Sequence, residues 1–312
     1  MRNQFIELLK EICHEHGIQI HFFSGDWIAT LETARGTRAC IYGYNFSINN
    51  AASSQICQDK NATSLILRSR GVASVQHELF LNPNEPLVSG LIAASGSVSK
   101  ILEFASKFKY RVVLKPVCGT GGNGVTRANN CKEVERAILC LFPKFHAIVV
   151  SPFIDIRREI RVVVLYQQVR LVYEKNRPCI VGDGESSVSV LISKQLTSRV
   201  TSLNPPVDLD LGRIPLRGEQ VAVEWRHNLG HGATPVLITD PDQSICDLAI
   251  EAVNALKMRF CSVDIIETDN GEFIVLEVNS GVMMDSFISS QDSRYRDIAR
   301  SIYTDAILSS LE

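Results

Sequence analysis

A lysine at the end of an apolar run, followed by a glycine-rich loop, is the first feature of this sequence that could do chemistry. Lys115 closes the run VVLKP, and the loop CGTGGNGV behind it contains Gly121, Gly122 and Gly124. Glycine lets backbone N–H groups approach an anion closely, and a lysine at a strand end adds a positive charge there. Two interpretations stay open, a phosphate-binding loop and a surface turn beside a solvated lysine. A P-loop is excluded, because no Gly-Lys-Ser/Thr ends the loop.

A set of oxygen ligands stands near the other end of the chain. Asp264 lies in CSVDII, and Glu277 and Asn279 lie in IVLEVNS. Residues two apart in a strand project from the same face, and the Asp-Asn-Gly turn at 269–271 would bring the strand of Asp264 alongside them. Such hard oxygen ligands suit Mg²⁺. The alternative is the polar face of an edge hairpin, but the apolar neighbours argue against a hairpin open to water.

Strands and helices must position these residues, and the periodicity of the sequence predicts both. Strands are expected over 111–116 and 147–154, and REIRVVVLYQQVRLVYEKN is expected to form a hairpin that turns near 166–168. Helices are expected over 54–71, 97–109, 242–258 and 293–311. Because hairpins and helices are mixed along the chain, an α+β fold is predicted rather than a doubly wound sheet.

The composition excludes several classes of protein. The 312 residues carry 32 basic and 34 acidic side chains, so the formal charge of −2 creates no overall field that would attract nucleic acid or an anionic membrane. No apolar run reaches the roughly 18 residues of a membrane span. Nine cysteines are scattered singly, which predicts buried, reduced thiols in a cytoplasmic protein.

Several motifs, taken in their order along the chain, resemble the ATP-grasp superfamily. NAASSQICQDKNATSLILRSRGVASV, VGDGESSVSVLI and HNLGHGATPVLITD are similar to segments of cyanophycin synthetases and bifunctional glutathione synthetases. The resemblance extends over residues of about 45 to 312. The single residues that carry it are Lys60, Lys115, the loop glycines, Glu159, Arg161, Asp264, Glu277 and Asn279.

The resemblance implies an ATP-grasp fold, in which two α+β lobes grip ATP, with a short N-terminal α/β lobe. The expected parts are a reduced N-terminal lobe (1–55), a central lobe with the Lys115 strand and the glycine loop (56–146), and a C-terminal lobe with the metal site (147–312). Asp264, Glu277 and Asn279 are expected to hold one or two Mg²⁺ ions, with Mn²⁺ as an alternative. Nucleotide contacts are expected from Lys60, Lys115, Gly121, Gly122, Gly124, Ser151, Phe153 and Glu159.

Two arginines are the candidates for binding the reacting carboxylate or its acylphosphate, since a guanidinium fork suits both groups. Arg161 stands where the resemblance implies an arginine after an acidic residue, whereas the family's other arginine would align nearer to Glu224 than to the candidate Arg226. Ser151 occupies the hinge position that usually carries an acidic residue for the ribose. The pair His227 and His231 is expected to contact substrate rather than metal.

The reaction that the resemblance implies is ATP-dependent amide formation. A carboxylate would be activated as an acylphosphate and joined to an amine of an amino acid or peptide, leaving ADP and phosphate. The expected partners are ATP and small carboxylate and amine substrates, without nucleic acid or membrane, and a homodimer stays open. The alternative is a non-catalytic ATP-binding module, or a subunit of a larger biosynthetic complex.

Overall fold

The computed structural model describes residues 3–83, 97–119, 121–195, 205–206, 209–290 and 292–312. The first position of the predicted loop Asn-Pro-Pro at 204–206 and one position of the glycine loop, residue 120, lie outside these ranges. Within the described part of the chain, none of the helices combines the length and the apolarity needed to cross a bilayer.

The chain begins with a helix packed on a small antiparallel meander, which we call the N-terminal module. The helix, α1 (Asn3–Glu15), buries Phe5, Leu8, Leu9 and Ile12, whose spacing of three and four residues places them on one face. The four strands that follow the helix pair with one another in sequence order, and the last of them is a two-residue edge strand. The elements are α1 (Asn3–Glu15), β1 (Gln19–Phe23), β2 (Ile28–Glu32), β3 (Arg38–Tyr42) and β4 (Asn45–Phe46).

A five-stranded antiparallel sheet, the large sheet, forms the centre of the molecule. Its order is β13-β10-β9-β14-β15, from β9 (Ile156–Leu165), β10 (Gln168–Asn176), β13 (Thr234–Leu237), β14 (Phe260–Thr268) and β15 (Phe273–Asn279). Both hairpins predicted from sequence are present. The first turns at Tyr166 and Gln167, which both have positive φ, as a tight two-residue hairpin turn requires.

The two faces of the large sheet bury different parts of the chain. On one face, alternate residues such as Val162 and Val263 pack against the long helix α7 (Gln243–Leu256) and against α2 (Ala51–Gln58) and α3 (Lys60–Ser69). On the other face, Val163 and Phe260 share one hydrophobic core with α1, α8 (Asp285–Ile288) and α9 (Ser293–Ser310). The N-terminal module is therefore part of the core of the large sheet.

A second, four-stranded antiparallel sheet, the small sheet, is formed by the chain that precedes the strands of the large sheet. Its order is β5-β8-β6-β7, from β5 (Glu78–Leu81), β6 (Val112–Pro116), β7 (Thr126–Ala128) and β8 (Ala147–Pro152). Helices α4 (Val98–Ser106) and α5 (Cys131–Leu141) cover one face, where Leu114 and Val150 are fully buried. Lys115 and its cross-strand partner Val149 belong to the opposite face, because side chains alternate along a strand.

The helix predicted over 54–71 is two helices, and the break has a local cause. Asp59 ends α2 and caps α3, where its side chain accepts a hydrogen bond from the N–H of Ala62. An aspartate at this place competes for backbone N–H groups and so starts a new helix. Lys60 is thereby the first residue of α3, and its N–H donates to the carbonyl of Val117 beyond the Lys115 strand (3.2 Å).

The remaining described elements are β11 (Cys179–Val181), α6 (Val188–Gln195) and β12 (Gln220–Ala222), which form a small unit, and a 3₁₀ turn at Leu229–His231. The predicted lobe boundaries at 55/56 and 146/147 stay predictions. Two sets of contacts cross these boundaries. Strand β8, which begins at residue 147, pairs with β5 and β6, and the N-terminal module shares its core with the large sheet. All nine cysteines are free, but the expectation that they are buried holds only for Cys13, Cys57 and Cys261.

The shared core makes a stability prediction. Leu9→Ala removes a fully buried side chain, so it should lower the free energy of unfolding by about 2–5 kcal/mol in urea titrations. Leu65→Ala on α3 is the control, because that leucine is 59% exposed and its loss should cost about 0.5 kcal/mol or less. Equal effects of the two substitutions would show that α1 does not stabilise the large sheet.

Candidate active site

The predicted metal and arginine residues lie in one row across the large sheet. The strand register sets Arg161 opposite Asp264, and Asp264 opposite Glu277. Tyr173 continues the row on the other side of Arg161. Directly opposed residues on neighbouring strands share a face, so four side chains from four strands point to the same side of the sheet. Arg161 and Asp264, which are more than a hundred residues apart in the sequence, thereby lie on neighbouring strands.

Asp264 is the centre of this row and is already bound by two cations. Arg161 donates to both of its carboxylate oxygens, from Nε and Nη2, at 2.7 Å each. Lys175 adds a third contact, from Nζ to Oδ2 at 3.0 Å. Burial alone would raise the pKa of Asp264, but Arg161 and Lys175 outweigh it, so the pKa lies below its ordinary value. The carboxylate is therefore ionised and fully compensated.

Lys175 is a site residue that the sequence analysis missed. Its ammonium lies between Asp264 and Glu159 and forms an ion pair with each. Burial opposes its charge, but the two carboxylates outweigh that effect and raise its pKa above the ordinary value. Burial raises the pKa of Glu159, and the ammonium of Lys175 works against the rise. The available signal was a charged residue two positions from Tyr173 in a strand whose neighbours are apolar.

Glu277 and Asn279 form the more open end of the row. Asn279 donates from Nδ2 to Glu277 Oε1 at 3.3 Å and to Asp264 Oδ2 at 3.4 Å. Both residues are half-buried, so a carboxylate and an amide remain partly exposed. That donor set fits Mg²⁺, which keeps several waters and needs few protein ligands. Asp264 fits the ion less well, because its oxygens already accept hydrogen bonds from Arg161 and Lys175.

No larger metal cluster competes with this place. Among the residues that the structure describes, no three His, Cys, Asp or Glu side chains gather into a group that could hold a metal ion. The histidine pair is not such a site. His227 contacts the carbonyl of Lys175 through Nδ1 (2.7 Å), and His231 contacts the carbonyl of Gly121 through Nε2 (3.1 Å).

Lys115 faces the metal row from the small sheet. Its side chain is almost completely buried, and burial lowers its pKa to about 8, with Glu277 and Glu159 opposing the shift and Lys60 adding to it. These electrostatic effects act between the two sheets, so the lysine and the carboxylates line the same cleft. Lys60 lies at the mouth of the glycine loop, where its Nζ donates to the carbonyl of Gly119 at 3.0 Å.

The glycine loop passes directly over the segment 226–231. At Gly122, which has a φ of +73°, an added Cβ would lie 2.7 Å from Nδ2 of Asn228. No other residue type would fit there without moving Asn228. The carbonyl of Gly122 also faces Nη1 of Arg226 at 3.5 Å. Arg226 uses Nε and Nη2 to hold the two oxygens of Glu224, both at 3.1 Å.

The hinge residues that were expected to contact the nucleotide, Ser151 and Phe153, lie at the end of β8 and just after it. Ser151 is buried in the small sheet opposite Val113, and the N–H of Phe153 donates to the carbonyl of Arg111 at 2.9 Å. The Phe153 ring lies under the guanidinium of Arg127, 3.8 Å from its centroid, and 6.0 Å from the ring of Trp225. Phe153, Trp225 and Arg127 thus form a tilted aromatic pair with a cation over one ring, beside the end of β8.

Comparison with known proteins identifies the fold. The model of the RimK-like ATP-grasp domain matches residues 217–302, and that of the ATP-binding domain of the carbamoyl-phosphate synthase L chain matches residues 75–199. A bifunctional glutathione synthetase from Pasteurella multocida superposes with a TM-score of 0.56 at 20% identity, over 96% of this chain and 44% of that one. The chain has the ATP-grasp fold. The fold expected from the motifs is confirmed.

Two further ATP-grasp relatives agree with it. The D-alanine–D-alanine ligase from Bacillus anthracis complexed with ATP has a TM-score of 0.52 at 17% identity, over 84% of this chain and 67% of that one. The glutathione biosynthesis bifunctional protein of Clostridium perfringens (strain 13 / Type A) is 22% identical over 195 residues, 55% of this chain. The chain spans 25% of that protein and 44% of the Pasteurella synthetase, less than half of either.

The two carboxylates of this ATP-grasp cleft should respond differently to neutralisation. Asp264→Asn leaves Arg161 and Lys175 buried without their main counter-ion, so it should lower the free energy of unfolding by about 3–5 kcal/mol. Glu277→Gln alters a half-buried side chain without such partners and should change stability by about 1 kcal/mol or less. Urea titration of both variants measures the difference. A stable Asp264→Asn protein would contradict the ion arrangement at the sheet centre.

Proposed function

We propose that this chain binds ATP in the cleft between the small and large sheets and uses it to join a carboxylate to an amine. The observation that carries the proposal is the placement of Lys115 and Lys60 across the cleft from Glu277 and Asn279, beneath a glycine loop. Cations on one wall and metal-ligating oxygens on the other suit a triphosphate with its counter-ion. The solved D-alanine–D-alanine ligase of the same fold is a complex with ATP, which supports this use of the cleft.

In the proposal Glu277 and Asn279 hold Mg²⁺. Asp264 becomes a third ligand only if Arg161 or Lys175 releases one of the carboxylate oxygens. The ion neutralises phosphate charge. The two accessible ligands, Glu277 and Asn279, are enough to hold one ion, and Mn²⁺ suits the same oxygen donors. Glu159, which was expected to contact the nucleotide, is buried against Lys175, so we assign it the task of holding that lysine. Ser151 and Phe153 remain the proposed neighbours of the adenine.

The proposed reaction has two steps. An oxygen of the substrate carboxylate attacks the γ-phosphorus of ATP, and ADP leaves, which forms an acylphosphate. The amine nitrogen then attacks the carbonyl carbon, loses a proton, and displaces phosphate to leave an amide. Arg226 is our first candidate for the acylphosphate, because Glu224 takes two of its nitrogens and the third points at the glycine loop. Arg161 is the second, since both its paired nitrogens hold Asp264.

One observation favours a second candidate, a non-catalytic ATP-binding module. Asp264, the residue expected to bind metal from the motif, is neutralised by protein cations, and a binder that needs no turnover would tolerate that arrangement. Phosphate release from the purified chain with ATP, Mg²⁺ and pools of amino acids and peptides separates the two. Release that depends on both a carboxylate and an amine supports the ligase, whereas nucleotide binding without release on any pool supports the module.

Glu277→Gln should abolish phosphate release and keep the fold, because it removes the accessible charged ligand of Mg²⁺. A fall of about a hundredfold or more is expected, in line with the loss of a main electrostatic group. The release assay and the circular dichroism spectrum measure both properties. Near-normal turnover in this variant would rule out the metal assignment.

Nucleotide affinity should fall on the alkaline side because of Lys115. Its pKa of about 8 means that the ammonium is charged below that pH and neutral above it. Raising the pH from 7 to 9.5 should therefore weaken ADP binding, by about tenfold if one phosphate contact loses its charge. Isothermal titration calorimetry measures the profile. In Lys115→Arg the charge persists, so that variant is the control and its profile should stay flat over this range.

A further inference from the structure

A buried histidine stands beside the proposed phosphate site. His77 is the residue before β5, and its side chain is 97% buried, since only 3% is exposed. In the small sheet, Lys115 is paired with Val149, and Val149 with Leu79. Because His77 precedes Leu79 by two residues, the alternation of the strand places it on the face of Lys115, the face that lines the cleft.

The hydrogen bonds of His77 determine which ring nitrogen carries the proton. Its Nδ1 lies 3.1 Å from the carbonyl of Val75, and only a protonated nitrogen can donate to a carbonyl. Its backbone is equally constrained, since its N–H donates to Ser64 Oγ and its carbonyl accepts from Asn61 Nδ2. In a neutral ring Nε2 is then a bare acceptor. That atom is buried, and among the described residues nothing donates to it.

An unpaired donor lies on the same face. The described residues include no hydrogen-bond or ion-pair partner for the Lys115 ammonium, whereas Lys60 already donates to the carbonyl of Gly119. Burial lowers the pKa of His77 well below its ordinary value, and repulsion from Lys115, then from Lys60, adds to the shift, while the bond to Val75 opposes it. The ring is therefore neutral at physiological pH. A buried acceptor without a donor is costly, and the ammonium of Lys115 is a donor without an acceptor.

We propose that His77 is a positioning residue that accepts a hydrogen bond from the Lys115 ammonium through Nε2 and aims that ammonium at the nucleotide phosphates. The inference rests on the nucleotide site proposed above. An ammonium has three N–H donors, so one can be held by the imidazole while the others contact phosphate oxygens. The bond to Val75 fixes the ring, and the ring in turn fixes the lysine.

Two substitutions separate this role from a purely structural one. His77→Asn keeps a polar group near the position of Nδ1, within reach of the Val75 carbonyl, but has nothing where Nε2 was. His77→Gln reaches the position of Nε2 and supplies an acceptor there. Loss of the acceptor should weaken ADP binding in Mg²⁺ by about tenfold in His77→Asn, as expected when a charged donor loses its partner. His77→Gln should bind within about threefold of the wild type, as a rescued variant.

A second readout does not involve the nucleotide. The rate at which an amine-reactive reagent labels Lys115 in the free protein, followed by mass spectrometry against pH, reports the pKa of that lysine. A hydrogen bond to the ammonium favours the charged form, so His77→Asn should shift the labelling profile to lower pH, and His77→Gln should not.

The outcomes distinguish the two proposals. If the wild type does not bind ADP, the proposed nucleotide site is wrong, and the labelling profile alone decides the role of His77. If the wild type binds ADP and His77→Asn binds equally well with an unshifted profile, the positioning role is wrong. A water molecule as the partner of Nε2 predicts that same unshifted profile. Weaker binding in both variants, with a lower melting temperature in both, would assign His77 to structure only.

Discussion

The carboxylate of Asp264, held by Arg161 and Lys175, is the interaction on which the rest of the cleft depends. These three residues come from β14, β9 and β10, so the ion cluster crosses three neighbouring strands of the large sheet. Taking such charges out of water is costly unless each has a partner. Burial and pairing together set the positions of Glu159, Glu277 and Asn279, which surround the cluster. The apolar residues that alternate with this row form the core on the opposite face of the sheet.

The charge balance of the cleft is asymmetric. The central carboxylate is compensated by protein cations, while Lys115 on the small sheet has no partner among the described residues. A binding site with an unpaired cation opposite accessible oxygen ligands is arranged for an anion that brings its own metal ion. The polyphosphate chain of a nucleotide has both properties. The proposed function and the proposed role of His77 follow from the same imbalance.

The sequence predicted much of this arrangement and missed specific parts of it. Hairpins with distinct turn residues, such as the one at 269–271, were predictable because turn chemistry and alternation act locally. The apolar spacing did not show the break at Asp59, since a helix that continues through an aspartate and one that restarts there have the same apolar spacing. Lys175 was missed because its partners, Glu159 and Asp264, become neighbours only when three strands pair. Glu224 is a different case, because it lies only two residues from Arg226 and was considered only as the position where the family's arginine would align.

The N-terminal module has a consequence for any attempt to redesign this protein. Its helix α1 and its strands bury their apolar faces in the core that also contains Val163 and Phe260 of the large sheet. Asn49, in the segment that leaves the module, holds the carbonyl of Phe260 at 2.6 Å and accepts from its N–H at 3.0 Å. A chimera joined near residue 55 would therefore divide a hydrophobic core and separate the two hydrogen-bonded residues, Asn49 and Phe260, between two parent sequences. Exchange of the first residues for those of a relative requires matching changes in α8, α9 and the ends of β9 and β14.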